Sequence, residues 1–134
     1  MARATMFRNV QQGVVAIEFG LVLPVLLLFV LGLMECGRLF WTYTTLYRAT
    51  QAAARCGAVN ATLCGTVTQI QSYAVTQAYG LTVQSSVFTA QTAVCGIQVV
   101  GTLPVTLMIP WSSASKTTHS FNVVTLVATS CYPK

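Results

Sequence analysis

The apolar run from Val14 to Met34 constrains the fold of this chain more than any other feature. It is 21 residues long and contains one charged residue, Glu18. At a rise of about 1.5 Å per residue, a helix of this length covers the roughly 30 Å hydrocarbon core of a bilayer. The run therefore predicts a transmembrane helix and argues against a wholly soluble chain.

The segment before the run has the composition of a targeting leader. Residues 1–13 contain Arg3 and Arg8 and no acidic residue. In a secretory signal peptide the hydrophobic region is only about 7–15 residues long, and a small-residue cleavage site follows it closely. Here the run is longer, and the first Ala-rich site, at residues 52–54, lies far beyond it. We therefore expect cleavage before the apolar run.

Glu18 needs an explanation because it lies inside the apolar run. A carboxylate at mid-bilayer costs about 2.5–3.5 kcal/mol on insertion scales, and less near a helix end. A glutamate tolerated at the membrane interface is the simple interpretation. The alternative is that the carboxylate has a partner.

The residues around Gly13 and Glu18 resemble type IV pilin-like proteins, whose leader is cut after a glycine and whose mature fifth residue is glutamate. If Gly13 closes the leader, Val14 becomes the first mature residue and Glu18 the fifth, followed by Phe19. The resemblance implies cleavage by a prepilin peptidase. It also implies that Glu18 meets the new amino group of a neighbouring subunit during assembly. An intramolecular pair is also possible, because Val14 and Glu18 are four residues apart on one helix face.

Two further segments narrow the resemblance to TadE-like pseudopilins of the tight-adherence (Tad) pilus, a type IVb system. They are LVLPVLLL, which contains Pro24, and MECGRLFW, which contains Glu35 and Arg38. The resemblance covers residues 13–41. It implies a subunit of the bacterial inner membrane that associates with other pilins and pseudopilins, with its N-terminus in the cytoplasm and its C-terminal part in the periplasm. Pro24 is expected to kink the helix. The kink could have no role; the resemblance implies instead that it loosens the helix when subunits bundle.

Beyond Met34 the helical pattern continues with a different character. Glu35 and Arg38 are three residues apart and are predicted to pair at the membrane boundary. An apolar stripe follows, which predicts that this half of the helix packs on a folded domain; its members are Leu39, Tyr43, Leu46, Tyr47, Ala53 and Ala54. Cys56-Gly57 is expected to end the helix, because glycine is a common C-terminal breaker.

Four cysteines lie beyond the anchor, namely Cys56, Cys64, Cys95 and Cys131. An even number in a small domain predicts disulfides and a compartment outside the cytoplasm. Of the three possible connectivities, the spacing favours Cys56 with Cys64 and Cys95 with Cys131. Cys36, at the end of the apolar run, is interpreted as a packing residue.

The rest of the chain predicts an α+β fold. A second helix is expected from about Thr66 to Ala78, with Gly80 as its stop. Alternation of Val, Ile or Leu with Thr, Gln or Ser then predicts an antiparallel sheet of about three strands; they are Leu81–Gln84, Cys95–Val105 and Phe121–Thr129. The chain is thus expected to comprise a leader (1–13), a transmembrane part (14–34) and an extracytoplasmic head (35–134).

Composition argues against an enzyme. The sequence has two acidic residues, Glu18 and Glu35, and one histidine, His119. General acid–base, metal and triad chemistry usually need carboxylates or clustered histidines. We therefore expect no catalytic residue, cofactor, metal or small-molecule substrate. The net charge of +5 is dispersed along the chain, so no nucleic-acid footprint is expected either.

Two functional hypotheses remain. The first is a minor pilin-like subunit, with a kinked helix that bundles with others and a disulfide-linked periplasmic head. The second is an uncleaved, signal-anchored periplasmic module that binds a partner through the apolar patch from Met108 to Trp111. That patch could instead belong to the core. Processing after Gly13 would distinguish the two hypotheses.

Overall fold

The structure is a computed structural model that describes residues 2–107 and 123–134, with side chains described from residue 15 onward in those ranges. The elements in chain order are helix α1 (Ala2–Val59), helix α2 (Ala61–Cys64), helix α3 (Val67–Gln77), a 3-10 turn (Ser85–Val87), and strands β1 (Phe88–Ala93), β2 (Gly96–Thr106) and β3 (Val123–Tyr132). The chain divides into two compact units, residues 1–36 and 37–134. The predicted α+β class is confirmed.

The long N-terminal helix is confirmed, but its predicted end at Cys56-Gly57 is wrong. Helix α1 continues to Val59 and contains Pro24. A Cβ atom on Gly57 would lie 2.8 Å from Ile70 Cδ1 and 3.0 Å from Ile97 Cγ2. Gly57 therefore lets α3 and β2 approach the helix closely instead of terminating it.

The chain turns at Asn60, and the second long helix begins soon after. The Asn60 side chain accepts a hydrogen bond from Leu63 N and caps α2, a short helix where a loop was expected. Thr66 and Gln69 form a reciprocal capping box at the start of α3. Gly80, at φ +78, follows its end, so the predicted helix from about Thr66 to Ala78 is confirmed.

The sheet is a three-stranded antiparallel meander in the order β1-β2-β3, as predicted, but its first strand is not the predicted one. Residues 81–84 form no strand. Leu81 and Val83 nevertheless pack against the core, so their alternation reflects alternate burial along an extended backbone. The first strand is β1, whose Phe88 is fully buried and lies opposite Gly101 of β2.

The buried face of α1 within the unit 37–134 lies slightly to one side of the predicted stripe. Leu46, Ala53 and Ala54 are buried as predicted. Tyr43 and Tyr47 are instead 42% and 39% exposed, and their rings stack at a centroid distance of 6.4 Å. The other buried positions on this face are Thr42, Ala49 and Thr50.

Two threonines are tolerated on this buried face because their hydroxyl groups are satisfied within the helix. Thr42 Oγ1 donates to the carbonyl of Arg38 at 2.9 Å, and Thr50 Oγ1 donates to that of Tyr47 at 2.7 Å. A buried hydroxyl with such a partner avoids most of its desolvation cost. Polarity alone therefore does not mark the exposed face of this helix.

Gly101 of β2 provides a test of the close packing between helix and sheet. A Cβ atom there would lie 3.0 Å from Leu46 Cδ1 and 3.1 Å from Thr50 Cγ2. Gly101→Val is therefore expected to destabilise the head by about 1–3 kcal/mol through overpacking, or roughly 4–8 °C in Tm for each kcal/mol. Thermal unfolding followed by circular dichroism measures this. The neighbouring exposed Thr102 supplies the control, Thr102→Val, and an equal loss in both variants would contradict the packing argument.

Two disulfides link the elements of the head, and both have the connectivity favoured by the spacing. Cys56–Cys64 joins the last part of α1 to α2, with Cα atoms 5.7 Å apart. Cys95–Cys131 joins the turn between β1 and β2 to strand β3, with Cα atoms 6.2 Å apart. The first bridge closes a separation of 8 residues and the second a separation of 36.

Candidate functional site

The candidate site is the apolar part of α1 that follows Gly13. By length and composition, one helix of the described residues can cross a membrane, and none of its most apolar window is buried. Phe19 is 64% exposed and Leu21 is 72% exposed. Such a continuous apolar surface requires cover from lipid or from other helices, and it indicates a membrane anchor.

The predicted assembly residues all lie on this helix. Glu18 and Phe19 are exposed, and Pro24 lies inside the helix with its side chain exposed. A Cβ atom on Gly20 or Gly32 would meet open space. Glu18 is therefore exposed within the unit 1–36. A group from another molecule can reach its carboxylate.

The predicted processing residues, Gly13 and Val14, are also within α1. Their side chains are outside the described set. Cleavage between them therefore stays a prediction.

The predicted pair at the membrane boundary consists of Glu35 and Arg38. Glu35 is buried, with 9% of its surface exposed. The Arg38 guanidinium, through Nη2, donates a hydrogen bond to the carbonyl of Thr106 at the end of β2. The bond to Thr106 was not predicted, because it joins residues 68 positions apart and no local pattern signals it. The Glu35–Arg38 pair itself stays a prediction.

The remaining expectations concern the patch and the chemistry. The Met108–Trp111 patch and His119 lie outside the described residues. Within the described part of the chain, no three His, Cys, Asp or Glu side chains group as metal ligands. Cys36 is an exposed free thiol. Its interpretation as a packing residue is therefore wrong within a single copy of the chain.

Comparison with known proteins gives one family. The family model of TadE-like proteins matches residues 13–55. No curated protein and no solved structure matches the chain. The match begins at Gly13, the residue predicted to close the leader, and extends through Glu18 and Pro24 to the buried face of α1. Residues 13–55 are therefore similar to TadE-like proteins, the family that the motifs around Glu18 predicted.

Proposed function

We propose that this chain is a minor pilin-like structural subunit that assists the assembly or initiation of a Tad (type IVb) pilus used in surface adhesion or secretion. The observation that carries the proposal is the exposed apolar run of α1, which has Glu18 near its start and lies within the TadE-like match. The TadE-like match over residues 13–55 supports an association with pilus components. The specific role in assembly is our inference.

The proposed topology has a single pass through the bacterial inner membrane. The two disulfides of the head support a periplasmic location for residues 35–134, because disulfides persist in oxidising compartments. The N-terminus is then cytoplasmic. Incorporation into the pilus requires the apolar helix to leave the lipid and to pack against the helices of other pilins and pseudopilins.

In the proposed mechanism, a prepilin peptidase cuts between Gly13 and Val14. The cut creates an α-amino group that is largely protonated at neutral pH. A cation and a carboxylate about 4 Å apart attract by roughly 4 kcal/mol at an effective dielectric constant near 20. This attraction is comparable to the insertion cost of Glu18, so a pair between subunits would both offset that cost and set the axial register of neighbouring helices.

Phe19 and Pro24 have supporting roles in this mechanism. Pro24 removes one backbone donor from the helix and clashes with the preceding turn, which favours a kink. The exposed Phe19 ring, next to Glu18, provides apolar contact area for a neighbouring helix. The role of the chain is structural, and we assign no reaction, cofactor or small-molecule substrate to it.

Processing is the experiment that tests the proposal. In cells with an active prepilin peptidase, we expect the membrane-extracted protein to begin at Val14, and Gly13→Val to block the cut because the peptidase needs a small residue there. Intact mass and N-terminal peptide mapping measure this. Gly20→Val, which places the same side chain in open space on the same helix, should be cleaved normally. Intact Met1 in the unmodified protein would contradict the pilin-like role and favour the uncleaved, signal-anchored module.

A further inference from the structure

A groove of about 430 Å³ lies on the head between α1 and the end of β3. All of its lining residues belong to the compact unit 37–134. Arg48 and Arg55 line it from the helix, and Ser130 and Tyr132 line it from the strand. The groove is open to solvent and has no part in the membrane anchor.

The two arginines give the groove its chemical character. Arg48 and Arg55 are exposed and seven residues apart, which places them on one side of the helix, about 10 Å apart along its axis. Each guanidinium offers planar donors that suit bidentate binding of a carboxylate. Two such groups in a row fit a ligand with more than one carboxylate.

The chain contains no acidic side chain that suits this groove. Glu18 and Glu35 are the only acidic residues, and none follows Cys36. In a second copy of the head, the one acidic side chain is Glu35, which is buried, so that copy offers no exposed carboxylate side chain to the two arginines. Charge complementarity therefore requires a different protein that carries Asp or Glu.

The strand side of the groove suggests the form of that ligand. Among the described residues, β3 pairs with β2 and with no other strand, so one edge of β3 has no strand partner there. An unpaired strand edge is a template for an extended peptide. Ser130 and Tyr132, on this same strand, also line the groove.

We propose that the groove between Arg48, Arg55 and the Ser130–Tyr132 end of β3 binds an extended acidic segment of another protein. The carboxylates of the segment pair with the two guanidiniums, and its backbone lies along the end of β3. The surface lies outside the apolar run of α1, residues 14–34. The result of its test is therefore independent of leader processing and of Glu18.

Fluorescence anisotropy tests the binding of an acidic peptide to this groove, with the full-length protein in nanodiscs of zwitterionic phosphatidylcholine, which has no net charge. The probe is a labelled eight-residue peptide of alternating Thr and Glu, and the control peptide has alternating Thr and Gln. We expect the Glu peptide to bind at least tenfold more tightly than the Gln peptide, and its binding to weaken as salt is raised. Exposed charge pairs are individually modest, so Arg48→Gln with Arg55→Gln is expected to weaken binding of the Glu peptide about tenfold.

Lys134→Gln is the matched control, because it removes a positive charge that does not line the groove. It should leave the affinity within twofold, and all variants should retain the wild-type Tm because both arginines are exposed. Equal binding of the two peptides, equal affinity of the double variant and wild type, or no binding to wild type would each overturn the proposal. Displacement of the peptide by glycerol phosphate at equal concentration would also overturn it, by assigning the groove to phosphate and thus to lipid headgroups.

Discussion

Glu18→Gln is expected to be cleaved and inserted normally, yet to lose its association with the other subunits of the pilus system. The substitution keeps the size of the side chain and removes its charge, so the attraction of about 4 kcal/mol to a neighbouring amino group is lost. In affinity this is an upper figure of roughly a thousandfold. Chemical cross-linking in cells that contain the complete pilus system, followed by co-purification of the cleaved variant, measures the loss.

The same experiment separates the two possible partners of Glu18. A pair between Val14 and Glu18 of one subunit predicts that association survives in Glu18→Gln, whereas a pair between subunits predicts its loss. Glu18→Asp is the control, because it retains the carboxylate on a side chain shorter by one methylene, and it should keep part of the association. Undiminished cross-linking of Glu18→Gln would remove the assembly role of this residue.

Removal of the Cys95–Cys131 bridge should have the largest effect on the stability of the head. In the chain-entropy model the separation of 36 residues corresponds to about 4 kcal/mol, and the separation of 8 in Cys56–Cys64 to about 2.5 kcal/mol. Cys95→Ser with Cys131→Ser is therefore expected to lower the free energy of unfolding by more than Cys56→Ser with Cys64→Ser does. Denaturant unfolding of the full-length protein in detergent measures both.

Cys36→Ser serves as the control for these variants, because Cys36 is an exposed free thiol. It should leave the unfolding midpoint unchanged. Reduction of the wild-type protein should reproduce the combined loss. A larger effect from the Cys56 and Cys64 variant would show that local strain or denatured-state structure, and not loop length, decides the contribution of each bridge.

The parts of the fold that could be predicted from the sequence are those with a strong local period. The apolar run predicted the long helix, the polar-apolar alternation predicted an antiparallel meander, and Thr66 with Gly80 bounded the second helix. The first strand was misplaced because Leu81 and Val83 bury alternate side chains without a strand partner. The alternation of apolar and polar residues indicates which side chains are buried. Whether a segment forms a strand depends also on a second strand lying next to its backbone.

Other features depended on tertiary contacts that no local pattern contains. Glycine is common at helix ends, but Gly57 lies inside α1. The side chains of Ile70 and Ile97 occupy the space that a Cβ atom on Gly57 would need. The hydrogen bond from Arg38 to Thr106 and the groove beside Arg48 each bring together distant parts of the chain. The position of Glu18 within an exposed apolar helix could be predicted because it depends on the local sequence, and its role in assembly stays a prediction.

The two bridges also differ in when each can form as the chain is made. Cys56 and Cys64 are both present once residue 64 has emerged, whereas Cys95 must wait for a further 36 residues before Cys131 exists. Disulfides form through mixed-disulfide intermediates, and the bridge between Cys56 and Cys64 can form before Cys131 is present. These two cysteines are then no longer free to pair with Cys95 or Cys131. Cys95 and Cys131 then remain as the only unpaired cysteines after Cys36. The order of synthesis thus favours the native pairing, and the small first loop protects the larger second one from mispairing.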